Sequence, residues 1–503
     1  MNTSNKESAL PNITDWQQIN WLGVEKYVKK LQQRIYHAES LGNNRKVRDL
    51  QRMLMNSNAA LLVSIKRVTQ INGGKRTSGV DDYKVLTPSE ILELYKNMKS
   101  LNLQNHNPKP AYRTYIKNKN GKLIPLGIPI IKDRVYQNIV KLALEPQWEC
   151  RFEPTSYGFR PNRGCHDAIE RIFNTIRGSR QWVFEGNFKG CFDNLNHDFI
   201  MKQLGDFPER EIIGKWLKTG FLNNEVFIIA PQGGIISPLL ANIALHGMEE
   251  TLSIQYKAIN KNGIISYENR STYAMARYAD DFVVMCNTEQ EAHRVYDLLK
   301  PYLEIRGFEL PANKTKITPI TSGFDFLGFN IKKYKAEQGN KLLIKPSKES
   351  ISKFKQKISS NIKNLYGNNT KTLIDTLNPI IIGTANYWSP SVAREIYSEM
   401  DTYIWIGIKK FLVRSHPKKS WKWIKEQYFK ADKTGQSKNR WILTDPITGN
   451  QLKKMAWTPI VRHEQIKHTH SLFNKELEEY FIKRSVKEFK KNNVAYRQKL
   501  AKK

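Results

Sequence analysis

Apolar residues recur at three- and four-residue steps from Trp21 to Ser40 and from Asn43 to Val68, the second run carrying Leu50, Met53, Leu54, Leu61 and Leu62. This spacing predicts two helices, preceded by a polar, Asn-rich tail over residues 1 to about 20. From about 110 to 345 the pattern changes to short β-rich pieces: Val183-Phe184, Phe227-Ile228-Ile229, Tyr273 to Tyr278, Phe282 to Met285 and Phe324 to Ile331. Helical stretches at Asp133 to Leu144, Leu239 to Leu252 and Glu289 to Arg306 separate them, which is α+β order. After Pro346 the period is helical almost throughout, with breaks expected at Gly367-Asn368, Ser389-Pro390 and His416-Pro417.

A chain of 503 residues with 40% hydrophobic and 11% aromatic content exceeds one ordinary domain and can bury a sizeable core. Charge narrows the field further. Lys and Arg number 81 against 47 Asp and Glu, giving +34, and such a surplus repels itself unless a polyanion or an acidic membrane accompanies it, nucleic acid being the leading partner. Residues 331–503 hold 37 of the bases and 14 of the acids, so most of the excess sits in the last third. There Trp388, Trp405, Trp421, Trp423, Trp441 and Trp457 are interleaved with basic residues, a composition suited to stacking on RNA and contacting its phosphates, although most of them are expected to pack in the helical core. Cys150, Cys165, Cys191 and Cys286 lie far apart with no Cys-x-x-Cys spacing, which argues against a disulfide framework or a zinc ribbon and for a reducing compartment. No leader-like h-region and no long apolar run is visible, so a soluble intracellular protein that neither enters nor crosses a membrane is expected.

The sharpest chemical signal is Tyr278-Ala279-Asp280-Asp281, followed by Phe282-Val283-Val284-Met285. Two adjacent carboxylates at a turn between β-rich segments can hold a hard divalent cation, because Mg²⁺ prefers oxygen ligands and flanking strands fix their direction. Such a pair alone is commonly a solvated turn, so the surrounding sequence decides.

That sequence resembles the reverse transcriptases of the group II intron type over about residues 45 to 470. Tyr278 to Asp281 resembles their YADD box. Arg76-Thr77-Ser78-Gly79-Val80-Asp81 resembles the first fingers motif. Gly127-Ile128-Pro129 with Lys132-Asp133-Arg134, then Tyr157-Gly158-Phe159-Arg160-Pro161, resembles the second, and Gly190-Cys191-Phe192-Asp193-Asn194 lies in the third. Pro231-Gln232-Gly233-Gly234 with Ser237-Pro238-Leu239-Leu240-Ala241-Asn242 resembles the fourth, and Phe326-Leu327-Gly328-Phe329 the hairpin that ends the palm. Leu377 to Tyr387 resembles the maturase, or X, domain. The resemblance implies a right-hand reverse transcriptase fold of class α+β with an all-helical thumb. It implies an N-terminal RNA-binding extension over 1–70, fingers and palm over 71–345, the thumb and X domain over 346–445, and a basic nucleic-acid-binding segment over 446–503.

Two departures bear on mechanism. In the family the third motif opens with an Asp that supplies a third metal carboxylate, and counting back from Phe192 places that position at Asn187. An amide offers a carbonyl oxygen without charge, so a loss of polymerase rate by orders of magnitude is expected. Glu185 stands two residues earlier on the same strand face and Asp193 beyond the following turn, and neither replaces it without rearrangement. The fingers positions that hold the incoming triphosphate through a Lys and an Arg become Asn118 and Ile124. Lys117, Lys119 or Lys122 partly compensate as point charges, but Ile124 cannot supply a bidentate grip.

The expectation is therefore a group II intron maturase that binds structured intron RNA and promotes its splicing. Asp280 and Asp281 would hold Mg²⁺ weakly or not at all, the RNA partner having its own requirement for the ion. Phe192 and Gln232 would persist as remnants of the substrate site. RNA contact is expected through Lys409, Lys410, Arg414, Lys418, Lys419, Lys422 and Lys425, with DNA contact through the C-terminal segment. His463, His468 and His470 read as polar surface or RNA-contact residues rather than zinc ligands, and no His/Cys nuclease is expected to follow. The setting would be a bacterial cytoplasm or an organellar matrix or stroma. The rivals are an active intron-encoded RNA-directed DNA polymerase supporting retrohoming, and a basic RNA binder without intron specificity.

Overall fold

Trp21–Ser40 forms one helix, α1: the Asn20 side chain accepts the Gly23 N–H at its start, and Val24, Val28, Leu31 and Ile35 bury a stripe along it. The computed structural model describes residues 13, 15–100, 103–117, 123–188, 195–223, 226–228, 234–261, 264–310, 315–337, 339–435 and 437–492. The second predicted helix is two. Asn43 caps α2 (Asn44–Met55), the chain turns at Asn56, and the buried Ser57 hydroxyl accepts the Ala60 N–H at 3.1 Å to begin α3 (Asn58–Lys66). Apolar periodicity runs straight across a cap because the same face is buried on both sides of it. Ser57→Ala is expected to cost about 1 kcal/mol, read as a lowered urea midpoint with unchanged slope.

Next come α4 (Pro88–Lys99), opened by a Thr87–Glu90 capping box, then β1 (Ala111–Lys117), β2 (Leu123–Ile128) and α5 (Ile131–Arg151). They are followed by α6 (Cys165–Ile176), β3 (Trp182–Asn187), α7 (His197–Leu204), α8 (Arg210–Lys218), β4 (Phe221–Asn223) and β5 (Val226–Ile228). The predicted Leu239 to Leu252 helix is broken into α9 (Ser237–Ala244) and α10 (Met248–Thr251), because Gly247 between them takes φ +96°. Two hairpins follow, β6 (Tyr256–Lys261) with β7 (Ile264–Asn269) and β8 (Ala274–Tyr278) with β9 (Asp281–Cys286), and then α11 (Glu289–Ile305). In the sheets, the fingers strands run in the order β2-β1-β4-β5 with β1 and β4 parallel, while β3, β9 and β8 are successive neighbours.

Beyond β10 (Lys316–Pro319), the strands β11 (Phe324–Phe326), β12 (Phe329–Ala336) and β13 (Gly339–Pro346) make an antiparallel meander. Helices α12 (Lys348–Asn364), α13 (Thr370–Trp388), α14 (Arg394–Ser415) and α15 (Trp421–Tyr428) follow, with breaks where Gly367, Pro390 and Pro417 predict them. From Phe429 the all-helical expectation fails. β14 (Phe429–Lys430) pairs with β15 (Ile442–Leu443), and the described residues then run without an α-helix to α16 (Glu478–Asn492). Turn chemistry wins there: the Asp445 carboxylate accepts the Thr448 N–H at 2.7 Å and Gly449 takes φ +70°.

These elements divide into two compact units that interleave in sequence. One comprises Met1–Gly164, Phe184–Ile317 and Ile466–Glu479; the other comprises Cys165–Val183, Thr318–Gln465 and Tyr480–Lys503. In the second, Ile358, Leu373, Leu377, Ile381, Met400 and Phe411 form part of a buried helical core. Among the described residues no helix is long and apolar enough to cross a membrane.

Candidate functional site

β8 and β9 are paired so that Tyr278 faces Asp281, leaving Ala279 and Asp280 as a two-residue turn with Ala279 at φ +57°. Strand residues Met275, Ala276, Phe282, Val283 and Val284 are buried, which anchors the turn while Asp280 and Asp281 remain half-exposed. Behind it lies a fully buried guanidinium. Arg277 Nη1 donates to Asn242 Oδ1 at 3.2 Å and to the Ala279 carbonyl at 3.3 Å, and Asn242 Nδ2 donates to the Gly158 carbonyl at 2.8 Å. The backbone repeats the link: Tyr157 N–H donates to Arg277 O and Arg277 N–H to Thr155 O, each at 2.9 Å. At Gly158 the approach is so close that a Cβ would lie 2.3 Å from the Ala279 nitrogen, so only glycine fits. The segments 157–161 and 237–242, far apart in sequence, thus act as the cradle of the carboxylate turn.

Two further arginines are buried in the same unit, one of them within the cradle. Arg160 grips the Glu149 carboxylate with two bonds of 2.8 and 2.9 Å and donates to the carbonyls of Glu153 and Ser156. Arg134 donates to the carbonyls of Pro129, Gly74 and Thr77, tying the 76–81 segment to the start of α5, and burial holds its pKa below the usual arginine value. In the sequence these arginines stand out only as letters within motifs. For Arg160 the Gly- and Pro-containing loop around it is the signal that backbone carbonyls there need a buried donor.

β3 brings Asn187 to the turn. Gly186 makes this possible, since any Cβ there would meet the Phe282 ring at 2.3 Å, and Phe188 stacks between Phe282 and Phe308 at centroid distances of 5.0 and 5.3 Å. Phe188 N–H donates to Asp280 O at 3.3 Å, and the Asn187 amide nitrogen donates to Asp281 Oδ1. A carboxylate only accepts, so this contact uses the amide N–H that an Asp lacks. An Asp at 187 would instead set two like charges together and need a cation between them. The arrangement here satisfies Asp281 with protein atoms and does not fit a three-carboxylate, two-ion centre. Asp280 and Asp281 are the residues that could hold a single divalent cation. Among the described residues no cluster of three or more His, Cys, Asp or Glu side chains could do so.

Phe192, Gln232, Asn118, Lys119, Lys122 and Asp193 lie outside the described residues. Lys117 and Ile124 occupy register positions opposite Leu123 and Ile116 in the β1–β2 pair, and their side chains lie outside the described part of the structure.

The basic residues singled out on α14, α15 and the turn between them are all exposed: Lys409, Lys410, Arg414, Lys418, Lys419, Lys422 and Lys425. Among the described residues none of them pairs with a carboxylate. Four rest over aromatic rings instead, with Lys409 5.1 Å from Trp421, Arg414 4.6 Å from Tyr366, Lys419 5.2 Å from Trp423 and Lys425 4.1 Å from Trp441. Of the interleaved tryptophans, Trp388 is buried, which leaves it to the core. The three C-terminal histidines are corrected from surface residues to packing residues. His463 Nε2 lies 3.0 Å from the buried Asp167 carboxylate, His468 stacks on Tyr267 at 4.1 Å, and burial lowers the pKa of His470. Sequence spacing showed no partner for them because Asp167 and Tyr267 are distant in the chain.

Three family models match. Residues 116–331 match reverse transcriptase (RNA-dependent DNA polymerase), residues 16–98 the N-terminal domain of reverse transcriptase, and residues 351–429 the group II intron maturase-specific domain. Protein YkfC of Escherichia coli K12 is 33% identical over 313 residues, covering 55% of this chain and 82% of that one. Group II intron-encoded protein LtrA of Lactococcus lactis subsp. cremoris is 30% identical over 319 residues, covering 52% of this chain and 53% of its own length. Maturase-like protein 1 of Euglena gracilis is 27% identical over 396 residues, covering 76% and 80%.

Proposed function

From the chain's membership of the group II intron-encoded reverse transcriptase and maturase family, we propose that it binds structured intron RNA and promotes its splicing by holding the folded ribozyme, leaving the splicing chemistry to the RNA. The observation that carries this reading is the row of exposed cations on α14, α15 and the turn between them, none paired with a carboxylate among the described residues, inside the segment matched to the maturase-specific domain. Folded RNA is recognised largely through phosphates and 2′-hydroxyls, which such a surface suits. The protein works by binding. Its polymerase centre is impaired, since Asn187 consumes a carboxylate oxygen that a metal would use, and Asn118 and Ile124 weaken the triphosphate grip. Mg²⁺ serves chiefly the RNA. DNA contact falls to the basic C-terminal segment, and the setting is a bacterial cytoplasm or an organellar matrix or stroma.

The test is competition between the cognate intron and bulk structured RNA at about 0.15 M salt, scored with splicing of the intron. Preference for the intron with faster splicing supports the reading; equal binding removes it. A finer expectation concerns salt. Lys418→Gln, Lys419→Gln and Lys422→Gln together are expected to reduce the slope of log affinity against log salt by about 2 to 3, at roughly 0.7–0.9 for each phosphate no longer neutralised. An unchanged slope would place the RNA elsewhere.

A further inference from the structure

The second unit holds a solvent-open recess that catalysis does not use, beside Lys409 and Lys425 of the exposed basic row. Its floor is buried Ile408, Phe429 and Leu443; Trp405 and Trp441 form aromatic walls, and Trp441 stands at the mouth, 37% exposed. Asp401 fixes one side. Its carboxylate accepts the Met455 and Ala456 N–H groups at 2.8 and 3.1 Å, holding the segment that brings Lys453 and Lys454 to the lining. Lys425 Nζ lies 4.1 Å from the Trp441 ring, and Lys409 Nζ 5.7 Å from Trp405. The recess is therefore apolar and aromatic within and cationic around its rim.

We infer that this recess receives one unstacked base of a single-stranded RNA segment, stacked against Trp441, with the flanking phosphates on Lys425 and Lys409. The assignment rests on the RNA-binding reading above and deepens it. Four lysines around an aromatic slot oppose a cationic or neutral apolar protein side chain, whereas a nucleotide satisfies both features at once: its base has a π-face, and its phosphate is an anion. Sequence-specific contact with RNA is made at loops and bulges whose bases are splayed out, so a bulged nucleotide of the intron is the chemical class expected.

The test compares the full natural chain with Trp441→Ala and Trp441→Phe at about 0.15 M salt. The probes are a single-stranded RNA of about ten nucleotides, the same strand with its bases removed, and a duplex of equal length. Trp441→Ala is expected to weaken single-strand binding roughly tenfold to a hundredfold, while Trp441→Phe retains most of the affinity. Abasic and duplex RNA should bind all three proteins alike. No loss on the single strand, as when a partner protein occupies the slot, would overturn the assignment; so would an equal loss on the abasic strand. Because Trp441 is partly exposed, the variants are expected to keep the natural thermal midpoint, which separates lost stacking from lost fold. Failure of the maturase reading would show itself elsewhere, as absent intron preference in the natural chain, and would leave the difference between base-bearing and abasic strands intact.

Discussion

Primer extension on an RNA template by the natural chain is expected to run roughly 10²- to 10⁴-fold below that of a relative with three carboxylates. Metal stabilisation of the phosphoryl-transfer transition state is worth several kcal/mol, and each ~1.4 kcal/mol is a factor of ten. The geometry says why: the Asn187 amide donates into Asp281 Oδ1, so protein atoms already occupy an oxygen that the reaction needs for a cation. Asn187→Asp is expected to restore only part of the rate, because the sequence also carries Asn118 and Ile124 where the family resemblance implies a Lys and an Arg. The same variant gives a second readout. With two carboxylates side by side, its thermal midpoint should fall without Mg²⁺ and recover with it, while the natural chain responds little. Brisk synthesis by the natural chain would return the polymerase reading to first place.

The largest stability effect is expected at Arg160. Its guanidinium and the Glu149 carboxylate are each only 2% exposed, and the pair is bidentate. Arg160→Leu strands a buried carboxylate and also strips donors from the Glu153 and Ser156 carbonyls, so a loss of about 3–5 kcal/mol follows. That shows as a large drop in the urea midpoint. Glu149→Leu combined with Arg160→Leu should recover a substantial part, since removing both charges removes the desolvated orphan. If the double variant were no better than the single one, the carbonyl contacts rather than the ion pair would dominate. Through Gly158 and Tyr157 the same loop braces the carboxylate turn, so loosening it should also loosen Asp280 and Asp281.

Much of this architecture was legible because it is local. The bounds of α1 follow from Asn20 and an unbroken apolar stripe, and the β8–β9 hairpin from two apolar runs around Ala279-Asp280. The ordered series of motifs, read as a family resemblance, gave the palm and the maturase region that the family models match. What stayed hidden was either a side-chain cap inside a continuous period, as at Ser57, or a pairing over long separations. Nothing along the chain says that Arg277 will bond Asn242, that Asp167 will meet His463, or that the amide of Asn187 will turn its nitrogen toward Asp281. After Phe429 the helical expectation fails for another reason: Asp445, Pro446 and Gly449 make a turn, which interrupts the helical period there.

The interleaving of the two units sets a schedule for biosynthesis. Ile466–Glu479 belongs with the amino-terminal unit, where Arg163 donates to the carbonyls of His468 and His470 at 2.7 and 3.1 Å and Lys29 meets Glu478 at 2.5 Å. At about 5–20 residues per second a ribosome needs roughly 7–30 s to travel from Ile317 to Ile466. During that wait the nascent first unit lacks its last strap and leaves tyrosines 256 and 267 without the His468 ring that packs on them. A chain cut short in this interval would carry a first unit without those contacts.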